Sequence, residues 1–208
     1  MRIWLPALFT TVLASVLPAQ IIPFESNGLK YKALTRSGLT IMFAQLPTRV
    51  HNYSIIQVSI SNGAPVSWSV RPEDFRFERE DGIMIQAQPA KTVIANLMAK
   101  AGRGDVTKLI VAYEAALYGN VQMHSTNGYE ARRQDALAEF GSNKMKAAAA
   151  ASAIALVTTK LAPGQSTDGA VFYPSGSKPL GSGRLIVEAA GETFVFPVEQ
   201  EPPPLHGH

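Results

Sequence analysis

Two stretches of the chain alternate apolar and polar residues at every second position, and this alternation constrains the fold more than any other feature. One face of such a strand is buried while the other faces solvent. Clusters of Gly, Pro, Asn and Asp separate the alternating segments and predict tight turns. The pattern predicts about eight short strands, at residues 39–43, 56–60, 66–70, 75–77, 83–85, 169–173, 184–187 and 193–196. Short strands at this spacing predict an antiparallel β-sandwich.

Between the two alternating stretches the apolar period changes to that of a helix. A first apolar stripe, ended by Gly102, consists of Val93, Ile94, Leu97, Met98 and Ala101. Two further helices are predicted, one capped by Asp105 and one beginning near Asn127. The alanine tract at residues 147–151 indicates a last helix over residues 144–157, because alanine has the highest helix propensity. The sequence therefore predicts a mainly β domain interrupted by an α insertion.

These patterns divide the chain into one sandwich with one insertion. The sandwich is predicted at residues 39–90 and 158–199, and the helical insertion at residues 91–157. Residues 20–38 are a lead-in, and residues 200–208 are a flexible tail rich in Pro and His. Since neither half has enough strands to bury its alternating face, strands from both sides of the insertion are expected to pair in one sandwich.

The first 19 residues have the layout of a secretory signal peptide. Arg2 gives a positive start, residues 3–17 carry no charge, and Ala19 offers a small residue at a cleavage site. This apolar run is shorter than the roughly 20 residues that span a bilayer, and no later segment is long and apolar enough to do so. The chain has no cysteine, which excludes a disulfide scaffold and a thiolate metal site. We therefore expect a protein exported to the periplasm or the cell exterior, without a transmembrane segment after cleavage.

Charge is distributed unevenly between the insertion and the rest of the chain. Residues 91–160 hold nine basic and five acidic residues, whereas the remainder after residue 19 holds nine basic and eleven acidic ones. The net charge of +3 is too small and too dispersed for a nucleic-acid-binding surface, so no nucleic-acid partner is expected. Because the basic excess lies on the insertion, Arg132 and Arg133 are the candidate interaction residues.

The sequence contains no strong catalytic or cofactor motif. The nucleophile elbow, the dinucleotide-binding and phosphate-binding loops and the HExxH zinc motif are all absent from it. Ser175 and Lys178 match the Ser-x-x-Lys spacing of penicillin-binding enzymes, but they lie among Gly and Pro without the partner motifs, which favours a loop. An acidic cluster around Phe75 and Phe77 offers oxygen ligands to a hard cation, although outward strand positions and turn caps explain it better. Its members are Glu73, Asp74, Glu78, Glu80 and Asp81. Trp68 alternates with apolar neighbours and is interpreted as a core residue. The sequence thus predicts no catalytic residue, no cofactor and no metal ligand.

Residues 161–173 resemble a recurrent element of bacterial exported Ig-like domains. In these domains a Leu-x-Pro-Gly turn leads through a Gly into a Val-Phe strand, and the corresponding residues are Leu161, Pro163, Gly164, Gly169, Val171 and Phe172. The strand at residues 56–60 and the motif at residues 72–75 are similar to earlier strands of that pattern. The resemblance covers roughly residues 39–88 and 158–198. It implies an Ig-like antiparallel β-sandwich without enzymatic activity.

Three functions stay open from the sequence. The first is a non-catalytic binding or assembly module that contacts another cell-envelope protein through the helical insertion or a sheet edge. The second is a binder of a small molecule or a lipid surface, with an apolar pocket between the helices and the sandwich. This second function includes a peripheral contact with a membrane. An enzyme of unrecognised type is the third.

Overall fold

The computed structural model describes residues 20–26, 29–100, 151 and 154–199. Within these ranges the chain forms strands, one short 3-10 turn and the helix α1, and Ala151 and Ile154 are helical as well. The strands in chain order are β1 (Ile22–Ser26), β2 (Leu29–Arg36), β3 (Leu39–Val50), β4 (Tyr53–Asn62), β5 (Trp68–Val70), β6 (Phe75–Arg79), β7 (Met84–Gln86), β8 (Thr159–Leu161), β9 (Ser166–Pro174), β10 (Gly183–Ala189) and β11 (Glu192–Val198). The 3-10 turn covers Pro72–Asp74, and α1 covers Ala90–Lys100.

Two antiparallel sheets face each other across a common core. The five-stranded sheet has the order β1-β2-β3-β4-β9, the four-stranded sheet has the order β11-β10-β6-β7, and β5 pairs separately with β8. Strands from both sides of the predicted insertion share each sheet, since β4 pairs with β9 and β6 pairs with β10. The chain is therefore mainly β, in an arrangement consistent with a β-sandwich. The prediction that the two halves of the sequence pair with each other is confirmed.

Aromatic side chains from the two sheets contact each other in the core between them. Phe43 of the five-stranded sheet packs edge-on against Phe196 of the four-stranded sheet, with ring centroids 5.0 Å apart. Phe77 and Tyr173 make the same kind of contact at 6.2 Å. Full burial of one such side chain stabilises the fold by roughly 1.5–3 kcal/mol. This inner core therefore holds the two sheets together.

The five-stranded sheet is buried on its other face as well. α1 packs there, and its Val93 and Leu97 side chains are fully buried. The Asn96 amide donates to the Tyr53 hydroxyl (2.7 Å), which in turn donates to Gln88 Oε1 (2.7 Å). Because both faces are covered, burial does not alternate along β4, and the polar Gln57 and Ser59 of the alternating segment are buried as well. The prediction that one face of this strand meets solvent is wrong.

Both connections between the sheets and the insertion cross the edge of β9. The Gln88 N–H donates to the Phe172 carbonyl (2.9 Å), and the Leu156 N–H donates to the Ala170 carbonyl (2.8 Å). The returning chain passes so close that a Cβ on Gly169 would lie 2.7 Å from the Leu156 Cα, which explains the glycine at this position. These two connections cover the free edge of β9.

Each of the eight predicted strands is present, and the first predicted helix corresponds to α1. The structure adds β1 and β2, which lie in the predicted lead-in, and β8. One member of the predicted α1 stripe, Met98, is 49% exposed and does not belong to the buried face. Of the last predicted helix, Ala151 and Ile154 are described and are helical. The prediction that this helix reaches Val157 is wrong, because Ala155 already pairs with Ala170 of β9 and the Leu156 N–H donates to the Ala170 carbonyl.

Several predictions concern residues outside the described ranges. They are the signal peptide at residues 1–19, the helices predicted after Asp105 and Asn127, the interaction residues Arg132 and Arg133, and the tail at residues 200–208. In the part of the chain that is described, no helix combines the length and the apolar character needed to span a bilayer.

Candidate functional site

The edge strands of the two large sheets differ in how their backbone groups are protected. β1 and β11 each contain a proline, Pro23 and Pro197. Proline lacks an N–H, so an edge that contains it is a poor template for a further strand. The β9 edge is covered by the two connections to the insertion. β7 is the remaining edge, and its three residues include neither a proline nor a charged side chain.

Hydrogen bonding to β6 leaves two residues of β7 facing outward. The Arg79 N–H donates to the Ile83 carbonyl at one end (3.0 Å), and the Ala87 N–H donates to β6 at the other end (3.1 Å). Residues of an antiparallel edge strand alternate between bonding to the neighbouring strand and pointing away from it. The N–H and C=O groups of Met84 and Gln86 therefore point toward the open edge.

The open edge borders a surface groove of about 600 Å³. The groove is lined by β7, the connection to α1, the first turn of α1 and the end of β9. The Gln86 side chain is held in place, because its Nε2 donates to the carbonyls of Glu73 (2.7 Å) and Phe75 (3.0 Å). Gln88 is held by its hydrogen bond with the Tyr53 hydroxyl. Fixed side chains lower the ordering cost of binding.

Two neighbouring apolar side chains are exposed beside this edge. Ile83 is 54% exposed and Met84 is 49% exposed, whereas Ile85 packs partly against the inner core. The preceding turn fixes this segment, since the Ile83 N–H donates to Asp81 Oδ1 (3.1 Å) and Gly82 has a φ of 79°, which glycine adopts without strain. Exposed apolar side chains beside unpaired backbone groups are the features of an edge that accepts a peptide strand.

The charged side chains near β7 fall into two groups. The arginines on this sheet are engaged in ion pairs, namely Arg76–Glu188, Arg79–Asp81 and Arg184–Glu78. Glu73 and Glu80 are exposed, and within the described ranges neither forms an ion pair. One of these carboxylates lies near each end of β7, so the edge is flanked by negative charge.

Glu73 is positioned by the 3-10 turn that precedes β6. The Asp74 carboxylate accepts hydrogen bonds from the Arg71 backbone N–H (2.8 Å) and from the Arg71 guanidinium (2.8 and 3.1 Å). The side-chain hydrogen bond with Asp74 and the charge of that carboxylate raise the pKa of Arg71 above its ordinary value, and the charge of Glu73 adds a smaller effect in the same direction. The turn is thereby closed through Asp74, and the neighbouring Glu73 carboxylate is left exposed.

The Ser-x-x-Lys residues do not form a catalytic arrangement. Ser175 follows β9, its Oγ lies 2.7 Å from Ser54 Oγ, and its N–H donates to the Asn52 carbonyl (3.0 Å). Lys178 is exposed in the same loop. Both residues therefore lie in a loop between two strands, as the sequence predicts.

The remaining sequence-derived candidates are structural in the described part of the chain. Trp68 is half-buried against the inner core, in agreement with its interpretation as a core residue. Three members of the acidic cluster, Asp74, Asp81 and Glu78, are paired with arginines. No three acidic or histidine side chains among the described residues are placed to hold a metal ion together.

The sequence predicts the strand β7 but not its position at the edge of a sheet. Residues 83–85 predict a strand, and they contain no proline and no charge. The sequence does not show that this strand ends a sheet, because the order of strands depends on pairing between distant segments.

Comparisons with known proteins show no relative of this chain. No family model matches it, and no curated protein and no solved structure is similar to it.

Proposed function

We propose that the protein is a non-catalytic binding module that captures an extended strand of another protein at the β7 edge. The observation that carries this proposal is the outward-facing backbone of Met84 and Gln86, on an edge without proline or charge. A strand that pairs there forms main-chain hydrogen bonds with these residues, and its alternating side chains contact Ile83 and Met84. Binding of this kind extends the four-stranded sheet by one strand.

The sheet edge is better supported as the contact surface than α1. The apolar face of α1 is already used, since Val93 and Leu97 are fully buried against the five-stranded sheet. The hydrogen bond from Asn96 to Tyr53 holds the helix directly on that sheet. For the same reason, the alternative of a small-molecule or lipid binder with a pocket between helices and sandwich has less support.

The proposed fold is an Ig-like sandwich, and the proposed location is the periplasm or the cell exterior. The paired sheets and the resemblance at residues 161–173 support the Ig-like fold. The charged start and apolar run of residues 1–19 support export. In that location the partner is another cell-envelope protein.

A photo-crosslinking amino acid at position 84, in the full chain expressed in its own host, tests this proposal. Val195 is the matched control, because it lies on the opposite edge strand β11 and is 36% exposed. We expect products from position 84 that map to an extended segment of an envelope protein, and no such product from position 195. Products from both positions, or from position 195 alone, contradict the proposal.

A further inference from the structure

We infer that the strand captured at the β7 edge is basic, with a Lys or Arg at each end of the segment that pairs with β7. This inference rests on the proposed function and adds the chemistry of the partner. It is based on the charges that flank the edge and on the arginines that are already engaged elsewhere.

One exposed carboxylate lies near each end of β7. Glu73 is at the end where β7 finishes, since its carbonyl accepts a hydrogen bond from the Gln86 side chain (2.7 Å). Glu80 is at the other end, in the turn that joins β6 to β7. The closest cation of that turn, Arg79, is paired with Asp81 (3.7 Å). A partner with positive charge at both ends therefore meets a carboxylate at both ends.

The length of the edge sets the spacing of these basic residues. The free part of the edge covers residues 83–87, because the Gln88 N–H already donates to the Phe172 carbonyl of β9. These residues span about 14 Å, at roughly 3.4 Å per residue of an extended strand. A partner strand runs alongside with the same rise, so basic side chains four to five residues apart reach both ends. A single central lysine does not satisfy this requirement.

A second copy of this chain does not fit the edge equally well. In a two-fold antiparallel pairing of β7 with β7, the Glu73 end of one copy lies beside the Glu80 end of the other. Carboxylates of like charge then approach each other at both ends, which destabilises the pair. A basic segment converts the same two positions into ion pairs.

Titration of the full chain with synthetic six-residue peptides tests this inference. Three peptides share an alternating threonine and valine interior and differ in their end residues, which are lysine, glutamine or glutamate. At low salt we expect the lysine peptide to bind about fivefold tighter than the glutamine peptide, because two exposed ion pairs form. The difference should shrink as salt is raised. A lysine peptide with N-methyl groups on alternate backbone nitrogens should not bind.

Replacement of glutamates by glutamine, at the β7 edge and at a distant control position, tests the role of the two carboxylates. The double substitution Glu73→Gln with Glu80→Gln should remove the preference for lysine over glutamine ends. Glu25→Gln, which changes an exposed carboxylate on the distant strand β1, should leave the preference intact. Both variants change exposed side chains only, so circular dichroism should show an unchanged fold.

The possible results separate this inference from the proposed function. Equal binding of the lysine and glutamine peptides overturns the basic partner but leaves strand capture standing. Failure of all peptides to bind at millimolar concentration overturns both. The inference is also overturned if the free protein forms a dimer and the Met84→Pro variant does not. Such a result would show that a second copy of the chain occupies the β7 edge.

Discussion

The two ends of the four-stranded sheet differ in what they offer to a further strand. At β11, Pro197 has no N–H, and its carbonyl accepts a hydrogen bond from Lys32 Nζ (2.6 Å), so neither backbone group of that residue is free. At β7, Met84 and Gln86 point both of their backbone groups outward. The two strands have the same topological position, because each pairs with one neighbour. Thr193 and Val195 of β11 also face outward, so the two edges differ at the single position that Pro197 occupies. A proline at an outward-facing position, rather than the sheet order, distinguishes the two edges.

Proline substitutions at neighbouring positions of β7 should have the largest and most unequal effects. The backbone groups of Ile85 face β6, so Ile85→Pro removes a hydrogen bond of the ladder and disturbs a partly buried side chain. We expect a loss of roughly 1–3 kcal/mol in the free energy of unfolding. The N–H of Met84 faces outward, so Met84→Pro should cost less than about 1 kcal/mol. Urea unfolding measures both. Equal losses would show that Met84 does not face the open edge.

Substitution of Tyr173, a buried tyrosine of β9, should have a smaller effect, and it should stabilise the fold. Tyr173 is fully buried against Phe77, and its hydroxyl has no hydrogen-bond partner in the described structure. Tyr173→Phe removes this unsatisfied group and should raise the free energy of unfolding by about 1 kcal/mol. Thermal unfolding near neutral pH measures the change, and a destabilised variant would mean that the hydroxyl is hydrogen-bonded after all.

The same substitution should change the response to alkaline pH. Burial raises the pKa of Tyr173 well above its ordinary value of 10.0. The unfolded chain therefore ionises near pH 10 while the folded protein keeps the phenol neutral. Stability is fully present below that pH and is lost as the pH rises above it. Melting temperatures at about pH 8 and pH 10.5 should show a smaller alkaline loss in Tyr173→Phe than in the parent protein.

Substitutions in the turn between β10 and β11 should have the smallest effect on stability. Ala190 and Gly191 join β10 to β11 as a two-residue hairpin, with φ of 57° and 72°. Two positive φ values are typical of a type I′ turn, in which asparagine is preferred at the first position. Ala190→Asn should stabilise the fold by roughly 0.5–1 kcal/mol, and Ala190→Val should destabilise it. Peptide binding at β7 should stay the same in both, since the turn joins β10 to the opposite edge strand β11.

Local sequence patterns predict the strands of the four-stranded sheet because only one of its faces is buried. β2 is harder, since Leu29 and Tyr31 pack on the outer face of the five-stranded sheet whereas Leu34 packs in the inner core. The residues of this strand therefore do not alternate regularly. In a sheet that is covered on both faces, apolar residues occur on both sides of each strand, so the alternation on which strand prediction relies is lost.

The candidate site is a property of strand order and could not be predicted from local pattern. The basic excess of the insertion points to Arg132 and Arg133, which lie outside the described residues and stay a prediction. The β7 edge stands out only when the prolines of β1 and β11 and the covering of β9 are seen together. Each of those facts depends on pairing between segments that are distant in the chain.

Amide hydrogen exchange of the full chain, followed by NMR with and without the lysine peptide, tests strand capture at β7 most directly. The amides of Met84 and Gln86 face solvent in the free protein and should exchange fast. On peptide binding they should become protected, whereas the outward-facing amides of Thr193 and Val195 on β11 should not change. Protection at both edges, or unchanged exchange at Met84 and Gln86 with peptide bound, would contradict the account.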